Sequence, residues 1–368
     1  MRFCNKCFRD VEVAKIIERN VEVISEKCPV CGAKDVFIYD TENHVGLESL
    51  FEDLLRIYDS SCDAKRIDNA KCFDLFDDIN LRWGIFAKDV SRKLQIDILK
   101  SLTKDAGLVR QSLFDGDVFL PGAYEDDFLR ESTLLRGSKW NQFADELKIK
   151  NRYYSRVVNT KLLQKYCSYI RKLYKKGSVF YRARISKDKE GFHKAEEMGA
   201  PPVGKSSEGR INAKGITCLY LADTIETTFH EVRAAAFDYV TVATFKLKED
   251  VFVVDLNAIT NVSPFSEGVD IKGYAIDKDV LRKLNEELSK PMRRNDSTLE
   301  YVPTQYFADI IKSFVHRNEP EFGGIEYTST LETGGKNLAI FYPELFEYID
   351  GDVYEVNKLN YCYKKITI

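Results

Sequence analysis

Residues 209–231 read GRINAKGITCLYLADTIETTFHE, and the fold class of the C-terminal half turns on how they divide. A basic turn bracketed by Gly209 and Gly215 leads into an apolar run from Ile216 to Ala222, and a helix-start pattern follows that ends in His230-Glu231. Such a run is either an ordinary turn–strand–helix corner or the wall of a site that holds an anion beside a carboxylate. Arg210 and Asn212 can reach inward from the turn, and glycine lets a ligand approach the backbone closely. Alternation puts Tyr220 on one face with Ile216 and Cys218. Asp223 is placed to cap the helix, with Glu226 three residues on as its capping-box partner. Glu231, off the stripe of Ile225, Phe229, Val232 and Ala236, has no such structural task, and the adjoining His230 reads as a satisfied histidine rather than a base.

Working outward, the period is two wherever the chain is rich in β-branched and aromatic residues. Strands are expected at Val179–Ile185, Gly215–Ala222, Tyr239–Leu247, Val251–Leu256 and Leu338–Tyr342, with helices near Thr224–Ala236, Lys278–Leu288 and Thr304–Phe314. In the first strand Phe180, Arg182 and Arg184 share a face opposite Val179, Tyr181 and Ala183. Two arginines beside an aromatic are awkward to bury without an anion, and their forked donors suit phosphate or carboxylate. Gly-rich loops at 322–324 and 334–335 flank a short strand that ends in Ser329.

The N-terminal part is different in kind. Cys4-x-x-Cys7 and Cys28-x-x-Cys31 are two knuckles that can point four thiolates at one ion, the spacing of a structural zinc site. Val11–Val13 and Val21–Ile24 between them suit a short hairpin. The other five cysteines, Cys62, Cys72, Cys167, Cys218 and Cys362, are scattered as reduced core cysteines usually are. From 46 to 150 the apolar residues recur at helical spacing, as in Leu47, Leu50, Phe51, Leu54, Leu55 and Tyr58, and again in Val90, Leu94, Ile98 and Leu102. Lys148 to Lys176 holds ten Lys/Arg and no acid, and reads as a basic helix with aromatic residues interleaved.

The 368 residues carry a net charge of −3, no membrane-length apolar run and no secretory leader pattern, so a cytoplasmic protein of several domains is expected, without a general affinity for nucleic acid or membrane. The expected architecture is α+β and multidomain. A zinc ribbon occupies 1–40, a helical domain 46–150, a basic connecting helix 151–176 and a mixed α/β domain 177–368.

Seven motifs stand in order in the C-terminal half. They are Phe180-Tyr181-Arg182, the turn from Gly209 to Gly215, Leu219-Tyr220-Leu221-Ala222, Thr228-Phe229-His230-Glu231, Pro303-Thr304-Gln305, Gly324-Ile325-Glu326-Tyr327-Thr328-Ser329 and Gly335-Lys336-Asn337-Leu338. In this series the chain resembles the RES domain over roughly residues 178–345, with Ile211 departing from the usual aromatic in the turn. The resemblance implies an ADP-ribosyltransferase-like fold that acts on NAD. It places Arg182, Tyr220, Glu231 and Ser329 about the reacting end of the dinucleotide. Arg184, Arg210, Asn212, Gly215 and Asn337 would join Arg182 and Tyr220 in holding it. It further implies a toxin or defence effector that depletes NAD by hydrolysis or phosphorolysis, with an antitoxin or trigger protein as partner. ADP-ribosylation of a protein is the nearest alternative. A zinc-ribbon module that binds nucleic acid through the basic segment is an alternative of another class. The helical region also resembles the HEPN-type domain found fused to RES domains. It has only His44 and no arginine four to six residues before it, so a scaffolding or regulatory role is expected there.

Overall fold

Asp10 decides the first local structure. Its side chain accepts the backbone N–H groups of Glu12 and Val13 and so caps a helix over Val11–Asn20, where a hairpin strand was expected. The β-branched residues favoured a strand reading, yet Val13 and Ile17, four apart, are the residues buried while Val11 stays exposed. The computed structural model describes residues 1–359 apart from 22, 25–26, 62–66, 68, 105–110, 291–296, 330 and 333. Cys62 and Cys362 therefore lie outside the described residues, as does part of Val21–Ile24. Cys167 and Cys218 are buried and Cys72 is exposed.

Two units divide the chain, Met1–Ser138 with Thr260–Leu281, and Lys139–Ile259 with Arg282–Ile368. In the first, β1 (Arg2–Cys4), β2 (Val23–Ile24) and β3 (Val36–Asp40) form an antiparallel sheet in the order β1-β3-β2. The helix Glu48–Leu55 buries Phe51, Leu54 and Leu55, and Arg92–Leu102 buries Ile98, Leu99 and Leu102, as their spacing requires. The region is not purely helical, however. Between and after these helices β4 (Asp59–Ser60), β5 (Phe73–Asp74) and β6 (Asp117–Phe119) pair in the order β4-β6-β5. These strands are only two or three residues long, too short to leave a periodic trace. His44 has a structural role, its Nδ1 accepting the Asp40 N–H at 2.8 Å. Residues 260–281 return to this unit from far along the chain, and the buried Asp277 carboxylate accepts the Leu134 N–H at 2.9 Å.

The second unit is built on an eight-stranded sheet. Its strands are β7 (Arg171–Tyr174), β8 (Val179–Ser186), β9 (Leu219–Ala222), β10 (Tyr239–Leu247), β11 (Val251–Asp255), β14 (Gly324–Thr328), β15 (Lys336–Ile340) and β16 (Phe346–Glu355). Two further short strands, β12 (Val315–His316) and β13 (Glu319–Pro320), pair only with each other. The order in the large sheet is β16-β10-β8-β9-β15-β14-β11-β7, all antiparallel except β11 with β14. On one face Phe180, Leu219, Leu221, Phe245, Val253 and Leu338 pack together. On the other Ala183, Val240 and Val242 meet Tyr181, Ile225 and Phe229.

The segment 151–176, expected as one basic helix, is three elements. An exposed loop is followed by a helix over Thr160–Tyr169, capped by Asn159, and then by the edge strand β7. The buried Glu326 carboxylate tethers that edge, accepting Lys172 Nζ at 2.9 Å and the Tyr174 hydroxyl. No helix among the described residues is long and apolar enough to cross a membrane.

Candidate functional site

The run 209–231 folds as turn, strand and helix, with three corrections, the first being that the strand expected from Gly215 spans only Leu219–Ala222. Thr224, not Asp223, caps the helix, its hydroxyl accepting the Thr227 N–H at 3.1 Å. Asp223 instead accepts the Lys336 N–H of β15 at 3.0 Å and so ties the helix start to the sheet. The helix, expected to continue to Ala236, spans Ile225–Glu231 and stops because Arg233 takes a left-handed conformation with φ 53°. Glu231 is thus the last helical residue, set at the sheet rather than in mid-helix.

Its carboxylate meets the two polar residues that flank the β14–β15 turn. Oε1 accepts the Asn337 amide at 2.7 Å and the Ser329 hydroxyl at 3.1 Å. Ser329 and Asn337 are both buried. Oε2 has no hydrogen-bond partner among the described residues. Glu231 and Asn337 line a cavity of about 360 Å³ together with Arg182, Arg210 and Tyr220, a size that small-molecule ligands commonly occupy.

Strand pairing explains the opening. β8 and β9 pair at one position only, Tyr181 with Ala222, and residues on both sides of that bridge line the cavity. Arg182 sits there with one Nη donating to the Tyr220 carbonyl at 3.4 Å. Its Nε is buried and has no acceptor among the described residues. Burial, reinforced by the neighbouring Arg184 charge, lowers the Arg182 guanidinium to about 10. A buried cation with an unanswered donor favours entry of an anion.

Arg210 reaches the cavity from the turn, stacked at 5.2 Å over Tyr301 and donating to the Glu287 carbonyl at 2.7 Å. Gln305 holds the turn itself, its amide donating to the carbonyls of Gly209 at 2.7 Å and Asn212 at 3.0 Å. Tyr220 lines the cavity, while its hydroxyl donates to Asn212 Oδ1 at 2.7 Å. Burial pushes that phenol well above its ordinary value, so it stays protonated.

Four expected site residues do not line the cavity, and one of them, Ser329, reaches it only through its hydrogen bond to Glu231. Asn212 is buried and spends its amide on the carbonyls of Ser207, Ala213 and Ile216. Gly215 serves the turn, with φ 86°. Arg184 donates to the Gly199 carbonyl at 3.3 Å. His230 lies half-exposed against Glu332 at 2.9 Å, outside the cavity lining. Conversely, Tyr181, Tyr327, Tyr301, Arg233 and Lys290 line the cavity without having been assigned a role in the site. Tyr327 was within reach of the sequence, since alternation back from Ser329 puts it on the same face. Lys290 and Tyr301 carry no comparable signal.

Apart from this cavity, the four N-terminal thiols converge. The sulfurs of Cys4, Cys7, Cys28 and Cys31 all lie within 4.8 Å of one another. The closest separations are 3.5 Å for Cys4–Cys31, 3.7 Å for Cys7–Cys28 and 3.8 Å for Cys4–Cys7. A tetrahedral ion with metal–sulfur bonds of roughly 2.3 Å needs sulfur–sulfur edges of about 3.8 Å, so the donor set fits one metal ion. The hydrogen bond from the Cys7 thiol draws Cys4 down, and the same bond together with burial holds Cys7 well above its ordinary value, so the thiols share protons as one set.

A family model described as RES domain matches residues 179–357. Neither the curated proteins nor the solved structures include a significant match to the chain.

Proposed function

From the RES domain that residues 179–357 form, we propose that the chain binds NAD in this cavity and breaks the bond between nicotinamide and ribose. One observation carries the reading: a carboxylate with a free oxygen and a buried guanidinium with a free donor line the same cavity. Such a pair suits a substrate that has both a developing cation and an anionic arm.

In the reaction the C1′–N bond breaks and its electron pair goes to the pyridinium nitrogen, so nicotinamide leaves as a neutral base and needs no general acid. Positive charge builds on the ribose. Oε2 of Glu231 stabilises that charge, while Ser329 and Asn337 hold Oε1 and prevent the carboxylate from turning away. Arg182 and Arg210 hold the diphosphate through their forked donors. Tyr220 packs its ring against the nicotinamide. Water or inorganic phosphate then adds at C1′, with loss of a proton, and NAD is consumed. The N-terminal thiols hold a structural zinc, all four positions being filled by sulfur. The same cavity admits one other outcome, transfer of ADP-ribose to a protein side chain.

The test is the purified chain incubated with NAD, with and without phosphate, and with radiolabelled NAD and protein acceptors. Loss of NAD with release of nicotinamide is expected, and Glu231→Gln should slow it by about 100- to 1000-fold while the protein stays folded. The product then distinguishes hydrolysis, phosphorolysis and protein labelling. No NAD loss with any acceptor would end the proposal. Growth arrest on expression, relieved by Arg182→Ala, is expected of a toxin that depletes NAD.

A further inference from the structure

The loop that precedes the helix Thr160–Tyr169 has no part in the cavity. Tyr153 and Tyr154 are each 83% exposed, and Ile149 is 74% exposed. Large rings are rarely displayed side by side without a partner. The backbone beneath them is tied down. The Asn151 N–H donates to the Glu146 carbonyl at 2.8 Å, and the Tyr154 N–H to Asn151 Oδ1 at 3.0 Å. Tyr306 donates its hydroxyl to the Ser155 carbonyl at 3.1 Å, and Val158 is buried just beyond. The rings are therefore held outward at little entropic cost to a ligand.

Along residues 148–176 themselves the charge is of one sign. Lys148, Lys172 and Lys175 have carboxylate partners in Glu300, Glu326 and Asp250. Lys150, Arg152, Arg156, Lys161 and Lys165 are exposed, and their side chains have no hydrogen bond or ion pair among the described residues. Lys161 and Lys165, four apart, share a helix face. The chain as a whole has more acid than base, 58 against 55 residues, so five unanswered cations within sixteen positions are a local property. An acidic peptide would satisfy the cations and leave the rings idle. A membrane surface would call for an amphipathic helix rather than a fixed turn. Unstacked bases use both features, rings for the base faces and cations for the phosphates.

We infer that residues 149–165 form a docking surface for single-stranded nucleic acid, with Tyr153 and Tyr154 stacking on bases and the five cations flanking the backbone. It is independent of the NAD reading. The test is fluorescence anisotropy of the full chain with a labelled mixed-sequence single-stranded RNA or DNA oligonucleotide of about 15 nucleotides, long enough for one binding site. The double variant Tyr153→Ala/Tyr154→Ala should bind at least about tenfold more weakly. If all five cations are engaged, the slope of log K against log salt is about −3.5, and Lys150→Gln/Arg152→Gln reduces its magnitude by about 1.4. Circular dichroism and a urea midpoint equal to wild type show that the variants are folded. Absence of binding at low salt, or wild-type affinity in the tyrosine variant, overturns the inference. So does wild-type preference for duplex, for an acidic peptide or for anionic vesicles.

Discussion

Asn337 and Ser329 donate to the same oxygen of Glu231, and this fixes what each is worth. Removing a donor to a charged, partly buried group costs roughly 1.5–3 kcal/mol. On the proposed mechanism Asn337→Ala should therefore lower kcat roughly 10- to 150-fold with a smaller change in KM, because the carboxylate would lose its aim while Arg182 and Arg210 would still hold the diphosphate. A rise in KM alone would make Asn337 a simple ligand contact. Lys278 offers a test of stability. It is buried, with its ammonium 4.3 Å from the centre of the Trp83 ring and 5.1 Å from that of Tyr274. Burial first, and the Arg82 charge second, bring it down to about 7 against the attraction of Asp78 and Asp10. Below pH 7 both folded and unfolded states hold the proton, and the buried charge is a constant penalty. From pH 7 to about 10 the unfolded chain binds a proton that the folded one lacks, so stability rises by up to about 1.4 kcal/mol per pH unit. Lys278→Met removes this dependence. Its advantage over wild type in urea midpoint should be largest at pH 6 and shrink by pH 9; a constant difference would show that Lys278 titrates normally.

At the scale of elements, the β14–β15 pair is what delivers Ser329 and Asn337 to the carboxylate. Gly324 begins β14 opposite Ile340, and a Cβ there would collide with the Ala339 carbonyl oxygen of the neighbouring strand. Gly324→Ala should cost about 1–3 kcal/mol, read as a lower urea midpoint, and should depress NAD loss by shifting the strand that holds Asn337. Wild-type stability would show that the strands part freely. The elements also show what was legible. β10 begins and ends where its β-branched run predicts, at Tyr239 and Leu247, because a nine-residue strand leaves a long periodic trace. The helix Val11–Asn20 did not, since a single capping aspartate outweighed the strand preference of its valines. Glu231 was conspicuous as a carboxylate without a local task. Asn212 and Arg184 looked like ligand groups because a sequence shows donors but not the carbonyls that occupy them. Lys290 and Tyr301 reach the cavity only through tertiary folding, which no local pattern records.

For the molecule as a whole, the thiol cluster is the simplest feature to perturb. The protein should carry one zinc per chain by metal analysis, and a thiol-blocking reagent should release it. Removal with chelator at mildly acidic pH should lower hydrogen-exchange protection in Val36–Asp40, since that strand pairs with β1, which ends in the ligand residue Cys4. Protection that survives in metal-free protein would make the ion dispensable. One grouping of residues was not legible along the chain, for a topological reason. Residues 260–281 rejoin the first unit after the second has begun, and a reading along the chain assigns neighbours by position. The single bridge between β8 and β9 has a consequence for synthesis. A ribosome that has reached Tyr301 has already made Arg182, Arg210, Tyr220 and Glu231, yet β9 has only that bridge until β15 arrives to flank it. The nascent chain therefore carries most of the proposed site residues without a formed cleft, and on the proposed function translation order would withhold activity until Asn337 has been made.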